Sequence, residues 1–190
     1  QEKKFETDPD VVISIIDKND YQLFQPSLYE VATAEEELTE TSVLKRSITV
    51  RLTDIFSSKN IHLILGNVTL IDAKAKKIFI DDNRTINYDY LVMATGSVTD
   101  YFGVPGAEQY SFPLKTLKDA LRIRNEISFT IQRYRMDVNK KNIRIIIAGG
   151  GYTGCEFVAE LGNMLEILSW KNGYPKEKIH FFIQNKLPLV

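Results

Sequence analysis

Three glycines that follow an apolar segment constrain the fold of this chain more than any other feature of its sequence. Ile143-Arg-Ile-Ile-Ile-Ala148 has the β-branched composition of a buried strand. Gly149, Gly151 and Gly154 come directly after it with the spacing G-x-G-x-x-G, and a helix is predicted from about Thr153 to Leu168. A strand, a glycine turn and a helix in this order predict a βαβ unit with parallel strands.

The glycine turn has the properties of a phosphate site. In a βαβ unit the first glycine permits the tight turn, the second lets the backbone approach a pyrophosphate, and the third lets helix and strand pack closely. Backbone N–H groups and the positive end of the helix dipole then face the phosphates. The alternative is a glycine turn with a purely structural role. The predicted dinucleotide-binding residues are Gly149, Gly150, Gly151, Tyr152, Thr153 and Gly154.

Three further residues lie close to this turn in the sequence. Glu156, on the first turn of the helix, is either a ligand-facing carboxylate that binds a ribose or amide or relays a proton, or an ordinary helix N-terminal Glu. Cys155 is either an activated thiol or, as we favour, a small residue buried against the sheet. Gln184 ends the next predicted strand, where an acid usually binds the ribose. The Gln184 amide does not repel the 2′-phosphate of NADPH. Lys186 could tolerate that phosphate, although we favour the interpretation that Lys186 is a solvated loop charge. The preference between NADH and NADPH therefore stays open.

The N-terminal part of the chain predicts a second unit of the same kind. Val11-Val-Ile-Ser-Ile-Ile-Asp17 is a strand that ends in an acid, the position that binds a ribose in a dinucleotide-binding unit. Residues 1–16 contain no glycine, so we expect the chain to begin inside a unit whose first strand and phosphate loop are not included. The predicted fold class is α/β with two Rossmann-like dinucleotide-binding domains, both incomplete.

The segments between these two units are predicted from local patterns. Strands are expected at 61–65, continuing through 67–71, and at 90–95, with a hairpin of 77–80 and 85–88 around a polar turn. Residues 30–47 have helix-compatible spacing, and a helix with an apolar stripe starts at a capping box, Thr116 to Asp119. Residues 138–142 are a polar linker. The predicted domains are a partial dinucleotide-binding domain at 1–115, a helix and linker at 116–142, and part of a second dinucleotide-binding domain at 143–190.

Composition excludes several classes of protein. The formal net charge is −1, which does not support attraction of the whole chain to nucleic acid. A single cysteine excludes an internal disulfide, and two histidines far apart in the sequence do not indicate a metal site. No run approaches the roughly 18 apolar residues that span a bilayer.

Five segments of the chain occur together in order. They are FQPSLYEVA at 24–32, ATG at 94–96, YFGVPG at 101–106, PLKTLKDALRIRN at 113–125 and GGGYTGCE at 149–156. Together they resemble the type II NADH:quinone oxidoreductases (alternative NADH dehydrogenases), within the FAD- and NAD(P)-dependent pyridine nucleotide-disulfide oxidoreductases. The resemblance runs from Val11 to Val190, and the first and fourth segments are specific to the type II group. It implies that 1–115 is a partial FAD-binding domain and 143–190 part of an NAD(P)H-binding domain.

The resemblance implies a respiratory-chain flavoenzyme that passes a hydride from NADH to non-covalent FAD and then two electrons to a quinone, without proton pumping. It implies that Asp17, with Lys18 beside it, holds the FAD ribose, and that Gly149–Gly154 binds the NADH pyrophosphate. Glu156 would be the catalytic residue near the nicotinamide and flavin. The other implied FAD contacts are Gln25, Ser27 and Leu28 near the flavin, the Val68 backbone at the adenine, and Ala94, Thr95 and Gly96 at the crossover.

The resemblance also implies a peripheral protein on the cytoplasmic side of the inner membrane, a homodimer as one option, and no nucleic-acid partner. The FAD phosphate loop, the quinone-pocket residues and the membrane-associating helices are expected outside this chain. We therefore expect this chain alone neither to hold FAD tightly nor to reduce quinone.

Three alternatives remain at this stage. A disulfide reductase of the same superfamily needs a cysteine in residues 18–40, which have none, and a sulfide:quinone enzyme needs more than one cysteine. A nucleotide-binding module without turnover, or an inactive fragment, stays open.

Overall fold

The computed structural model of the chain describes residues 11–34, 40–57, 61–136, 142–172 and 179–184. Strands and helices alternate along much of this length, which confirms the predicted α/β class. The strands are β1 (Ile13–Asp17), β2 (Tyr21–Leu23), β3 (Thr49–Arg51), β4 (Ile61–Leu65), β5 (Val68–Asp72), β6 (Lys77–Ile80), β7 (Arg84–Asn87), β8 (Ile143–Ala148) and β9 (Ile179–Gln184). The helices are α1 (Leu28–Ala32), α2 (Thr41–Ile48), α3 (Leu52–Phe56), α4 (Ala107–Tyr110), α5 (Leu117–Met136) and α6 (Tyr152–Asn172), and a 3₁₀ turn, Gln25–Ser27, precedes α1.

The chain folds into two compact units. The first contains the described parts of Gln1–Leu23 and Thr49–Gly96, and the second contains those of Phe24–Ile48 and Ser97–Val190. The assignment of 1–115 to FAD and 143–190 to NAD(P)H stays a prediction.

The first unit combines a parallel strand pair with an antiparallel sheet. β1 pairs with β4 in parallel, from Ile13 opposite Ile61 to Asp17 opposite Leu65. β5, β6 and β7 form an antiparallel sheet, and its β6–β7 part confirms the predicted hairpin. β2 and β3 form a short antiparallel pair.

Gly66 separates β4 from β5, so the prediction that one strand continues from 61–65 through 67–71 was wrong. β4 pairs with β1, whereas β5 pairs with β6, so the chain changes partners at this residue. A Cβ on Gly66 would overlap the guanidinium of Arg84 and the side chain of Ile80. Arg84 donates a 2.6 Å hydrogen bond to the Leu65 carbonyl, which fastens the hairpin across the bend.

The predicted strand at 90–95 was also wrong. Residues 91–100 have no regular secondary structure, and Tyr90 and Val92 are 95% and 86% exposed. An apolar segment becomes a buried strand only if another strand lies beside it to take its hydrogen bonds. In the described part of the chain no strand occupies that place.

The second unit packs helices with a parallel strand pair. β8 and β9 run in parallel from Ile143 opposite Ile179 to Ala148 opposite Gln184. α6 packs on β8, and the short helix α1 packs on both α5 and α6. Its core consists largely of apolar side chains from these helices: Leu28, Val31, Ala32, Leu117, Ala120, Ile127, Ile131, Phe157, Leu161, Met164 and Leu165.

The helix predicted to start at the capping box of Thr116 and Asp119 is confirmed as α5, Leu117–Met136, together with its start. The backbone N–H of Asp119 donates to the Thr116 hydroxyl oxygen at 3.2 Å, and the backbone N–H of Thr116 donates to the Asp119 carboxylate at 2.8 Å. This reciprocal arrangement is a capping box with Asp in the place of Glu. Within 30–47, the described residues form the end of α1 and most of α2 rather than one helix, and 35–39 lie outside the described residues. Residues 138–141 of the predicted linker also lie outside them.

Candidate dinucleotide site

The glycine turn links the carboxyl end of β8 to the first residue of α6. Gly149 has φ +113°, a conformation that side-chain-bearing residues rarely adopt. A Cβ on Gly154 would overlap the carbonyl oxygen of Gly149 and lie 3.5 Å from Ile147 Cγ2, so only glycine allows α6 to start this close to β8. Both observations agree with the backbone roles predicted for the first and third glycines.

Gly151 differs from its two neighbours in the motif. A Cβ built on it would meet nothing within 4 Å, so its backbone is open on that side. Tyr152 and Thr153, the first residues of α6, are exposed, and the backbone N–H of Cys155 makes the first helical bond, to the Gly151 carbonyl at 3.0 Å. The N–H groups at the start of a helix have no partner within the helix and favour an anion. The turn therefore offers a phosphate both space and donors.

The strand register places Gln184 beside this turn. Gln184 is paired with Ala148, the residue directly before Gly149. In parallel sheets, ligands bind at the carboxyl ends of strands, and here two such ends lie next to the glycine turn. Lys186 lies outside the described residues.

Glu156 is exposed on the first turn of α6, and Tyr29 of α1 lies within range of its charge. Burial raises the pKa of the Tyr29 phenol, and the carboxylates of Glu156, Glu30 and Glu160 raise it further. Tyr29 is thus a neutral hydrogen-bond donor within the field of several carboxylates. The sequence analysis did not single out Tyr29, because no local pattern reports that α1 packs on α6.

The favoured interpretation of Cys155 was wrong, because its side chain is exposed. The buried stripe of α6 runs through Phe157, Leu161 and Leu165, and Cys155 projects from nearly the opposite side of the helix. Its thiol donates to the Gly150 carbonyl at 3.5 Å.

The residues that precede α1 belong to the same unit as the glycine turn. Gln25–Ser27 form the 3₁₀ turn, and the Ser27 hydroxyl donates to the Glu30 carboxylate at 3.0 Å. Leu28 is buried and anchors the start of α1. The packing of α1 on α6 therefore brings the segment Gln25–Leu28 and the helix of Glu156 into one packed body.

The predicted FAD residues of the first unit lie at strand ends and in a loop. Asp17 ends β1, and its carboxylate accepts the Asn19 backbone N–H at 2.8 Å, with Lys18 exposed between them. Val68 begins β5. Ala94, Thr95 and Gly96 are exposed without regular structure, and Gly96 has φ +71°. An acid at the carboxyl end of a parallel strand is the expected ribose position, whereas the other residues have no geometry that identifies a ligand.

Arg124 is a second residue that the sequence analysis passed over. It is a cation only 3% exposed on α5, and its Nε donates to the Ala34 carbonyl at 2.9 Å. The sequence contained a signal: Ala120, Arg124, Ile127 and Ile131 continue one apolar stripe, and a charge within such a stripe indicates a buried partner.

None of the helices described is both long and apolar enough to cross a membrane. Within the described residues, no three His, Cys, Asp or Glu side chains are grouped so that they could hold a metal ion.

Parallel strands joined through a glycine turn to a helix define a Rossmann-type dinucleotide-binding protein. The chain belongs to the pyridine nucleotide-disulphide oxidoreductase family, which matches residues 6–168. The resemblance stated from the sequence is thereby confirmed, and curated relatives include members of the type II group.

Two curated relatives and one solved structure illustrate the similarity. The demethylphylloquinone reductase NdbB of Synechocystis is 30% identical, over 84% of this chain and 37% of the relative. A type II NADH:quinone oxidoreductase of Staphylococcus saprophyticus is 27% identical, over 88% and 40%. The structure of NDH2 of Plasmodium falciparum in complex with NADH matches with a TM-score of 0.74 and 21% identity, over 90% of this chain and 36% of that one. At that identity the match shows the fold alone. The chain spans about two fifths of the length of these curated relatives.

Proposed function

We propose that this chain is part of a type II NADH:quinone oxidoreductase, which oxidises NADH with FAD and reduces a quinone without pumping protons. The observation that carries the proposal is the glycine turn at the carboxyl end of β8, with an open Gly151 and the N-terminus of α6. The names of the curated relatives support the quinone as electron acceptor.

The NADH site is proposed at the glycine turn. The N–H groups of Gly149 to Gly154 bind the pyrophosphate, because they lie where helix and turn leave donors unpaired. Gln184 binds the adenosine ribose by hydrogen bonds, which its register beside Ala148 supports. Tyr152 and Thr153 border the phosphates as the first residues of α6.

Glu156 is the proposed catalytic residue. Reduction of a quinone to a quinol consumes the hydride of NADH and one proton from solution, so a carboxylate near the nicotinamide can take up and pass on that proton. Its exposure and its place two residues after Gly154 support this role. Tyr29 remains protonated beside it and can donate a hydrogen bond to a carboxylate.

The chain offers part of an FAD site. FAD, when bound, accepts the hydride and passes two electrons to the quinone. Asp17 at the carboxyl end of β1 fits the ribose hydroxyls, with Lys18 next to it. Gln25, Ser27 and Leu28 are proposed near the flavin, the Val68 backbone at the adenine, and Ala94, Thr95 and Gly96 at the crossover.

The proposed protein acts at a membrane surface because its quinone substrate dissolves in lipid. We place it as a peripheral protein on the cytoplasmic side of the inner membrane, with a homodimer as one option and no nucleic-acid partner. The net charge of −1 supports the last point.

The test is an assay of the full-length protein with NADH and a short-chain quinone. We expect a flavin absorption spectrum, oxidation of NADH only when quinone is present, and no proton translocation in vesicles. The ratio of the oxidation rates with NADPH and with NADH measures the coenzyme preference that Gln184 leaves open. Binding of NADH without oxidation would instead support a nucleotide-binding module, and a colourless protein without affinity for NADH would overturn the proposal.

A further inference from the structure

The charged side chain of Arg124 is buried, which costs free energy of solvation. Its side chain lies among the apolar residues of α5 that face α1, and only 3% of it is exposed. Removing a guanidinium from water is unfavourable unless hydrogen bonds replace the lost hydration. The bond from Arg124 Nε to the Ala34 carbonyl, at 2.9 Å, supplies part of that compensation across 90 residues of sequence.

Helix α1 depends on such contacts for its position. It has five residues, too few to be stable alone in water. Leu28, Val31 and Ala32 are buried, and the Thr33 hydroxyl donates to the Tyr29 carbonyl at 2.9 Å at its end. A cation next to the carboxyl end of a helix also interacts favourably with the helix dipole. Arg124 thus holds the end of α1 that lies farthest from Gln25.

The other end of α1 carries Tyr29, and α1 packs on α6, the helix of Glu156. Tyr29 lies in the field of Glu156 and Glu160 of α6 and of Glu30 on its own helix. The segment Gln25–Ser27 leads directly into Leu28. A rigid helix fastened at its carboxyl end therefore controls where both of these features lie.

We propose that Arg124 is a positioning residue, which holds the carboxyl end of α1 and thereby fixes the position of Tyr29 on α1 relative to Glu156 on α6, together with the segment Gln25–Leu28. The effect on turnover rests on the proposed function, whereas the effect on Tyr29 does not. Arg124 acts through α1 and contacts neither nucleotide nor flavin.

The first test measures the Tyr29 phenol in the full-length protein by ultraviolet pH titration. The chain has nine tyrosines, so each titration is compared with that of the same protein carrying Tyr29→Phe. Arg124→Met should lower the pKa of Tyr29 part of the way toward its ordinary value, because displacement of α1 exposes the phenol and moves it away from Glu156 and Glu160, whereas Glu30 moves with it. A residue that only stabilises the fold would lower the melting temperature and leave this titration unchanged.

Arg133→Met is the matched control on the same helix. Arg133 is exposed and forms a surface ion pair with Glu126 at 3.2 Å, so its loss should leave Tyr29 unaffected. If Arg124→Met does not fold, Arg124→Leu, which also lacks a donor for the Ala34 carbonyl, takes its place. A folded Arg124→Met or Arg124→Leu protein whose Tyr29 titrates as in the wild type overturns the proposal.

The second test measures steady-state kinetics of the same variants. Displacement of α1 should lower kcat by about tenfold or more, since small misplacements of reacting groups are costly, with little change in the KM for NADH. An unchanged kcat in a variant whose Tyr29 has shifted would show that α1 does not position the site. If the wild-type protein does not oxidise NADH, the proposed function is contradicted. The titration of Tyr29 then still tests whether Arg124 positions α1.

Discussion

Gly154 of α6 lies directly against the carbonyl group of Gly149, so that a single methyl group on Gly154 would overlap the carbonyl oxygen. The contact joins the last residue of the glycine motif to its first. It sets how closely α6 approaches β8 and therefore where the N-terminus of the helix points. The site and the packing of this unit consequently depend on the same few atoms.

Gly154→Ala should destabilise the protein by about 1–3 kcal/mol, because the added methyl forces helix and strand apart. Gly162→Ala is the control on the same helix, since a Cβ there meets nothing within 4 Å. It should raise stability by up to about 1 kcal/mol, since alanine is the better helix former. Urea unfolding measures both, and equal effects of the two variants would contradict the packing role of Gly154.

Gly151→Ala should leave stability nearly unchanged and weaken NADH binding. A methyl on Gly151 meets no protein atom, so it would occupy the space proposed for the pyrophosphate. Gly149→Ala should instead lower stability, because φ +113° is strained for alanine. Urea unfolding measures the effect on stability, and NADH titration measures the effect on binding. Wild-type NADH affinity in Gly151→Ala would show that the pyrophosphate does not bind against Gly151.

Glu156→Gln should slow NADH:quinone turnover by about tenfold or more while FAD content stays near the wild-type level. The amide keeps the shape of the side chain but cannot take up a proton from solution and pass it on toward the quinone. Glu160→Gln, one helical turn further along α6, is the control and should have a much smaller effect. Stopped-flow and steady-state rates measure both variants, and wild-type rates in Glu156→Gln would exclude Glu156 from the mechanism.

Asp81→Asn should reduce the dependence of stability on acid pH. The Asn67 backbone N–H, which donates to Asp81 Oδ1 at 2.9 Å, and the Arg84 guanidinium hold the pKa of Asp81 below its usual range. A lowered pKa contributes stability that is present above the ordinary pKa of about 3.9 and is lost as the pH falls through the folded-state value. The wild type should therefore lose more stability than Asp81→Asn below about pH 4.

The backbone at Asp81 makes asparagine a suitable replacement. Asp81 has φ +50°, a region that asparagine tolerates well. Asp54→Asn, which removes an exposed ion pair with Arg51, is the control and should cost at most about 1 kcal/mol at neutral pH. Parallel curves of stability against pH for wild type and Asp81→Asn would show that the Asp81 bonds do not contribute.

Much of the second unit could be predicted because its signals are local. The β-branched run, the glycine spacing and the capping box of Thr116 and Asp119 each report their own conformation, and the structure has β8, α6 and α5 where they were expected. The hairpin of β6 and β7 follows the same rule, since a polar turn separates two apolar runs.

The sequence-based predictions were wrong where contacts between residues far apart in the sequence determine the structure. Tyr90–Thr95 has the composition of a strand, but a strand exists only with a partner, which the described residues do not supply. The change of partner at Gly66 depends on Arg84, and the exposure of Cys155 depends on which side of α6 packs. The positions of Tyr29 and Arg124 depend on α1, whose packing no short segment encodes.

The pair β2 and β3 has a consequence for how this chain can vary. Leu23 pairs with Thr49, and the Phe24 N–H donates to the Ile48 carbonyl at 2.8 Å, so the chain leaves and returns between neighbouring hydrogen bonds. Residues 24–48 therefore leave the β2–β3 pair and return to it at one point. A segment of different length or content could be accommodated there with β2 and β3 still paired, provided that it keeps the buried residues by which α1 packs on α5 and α6.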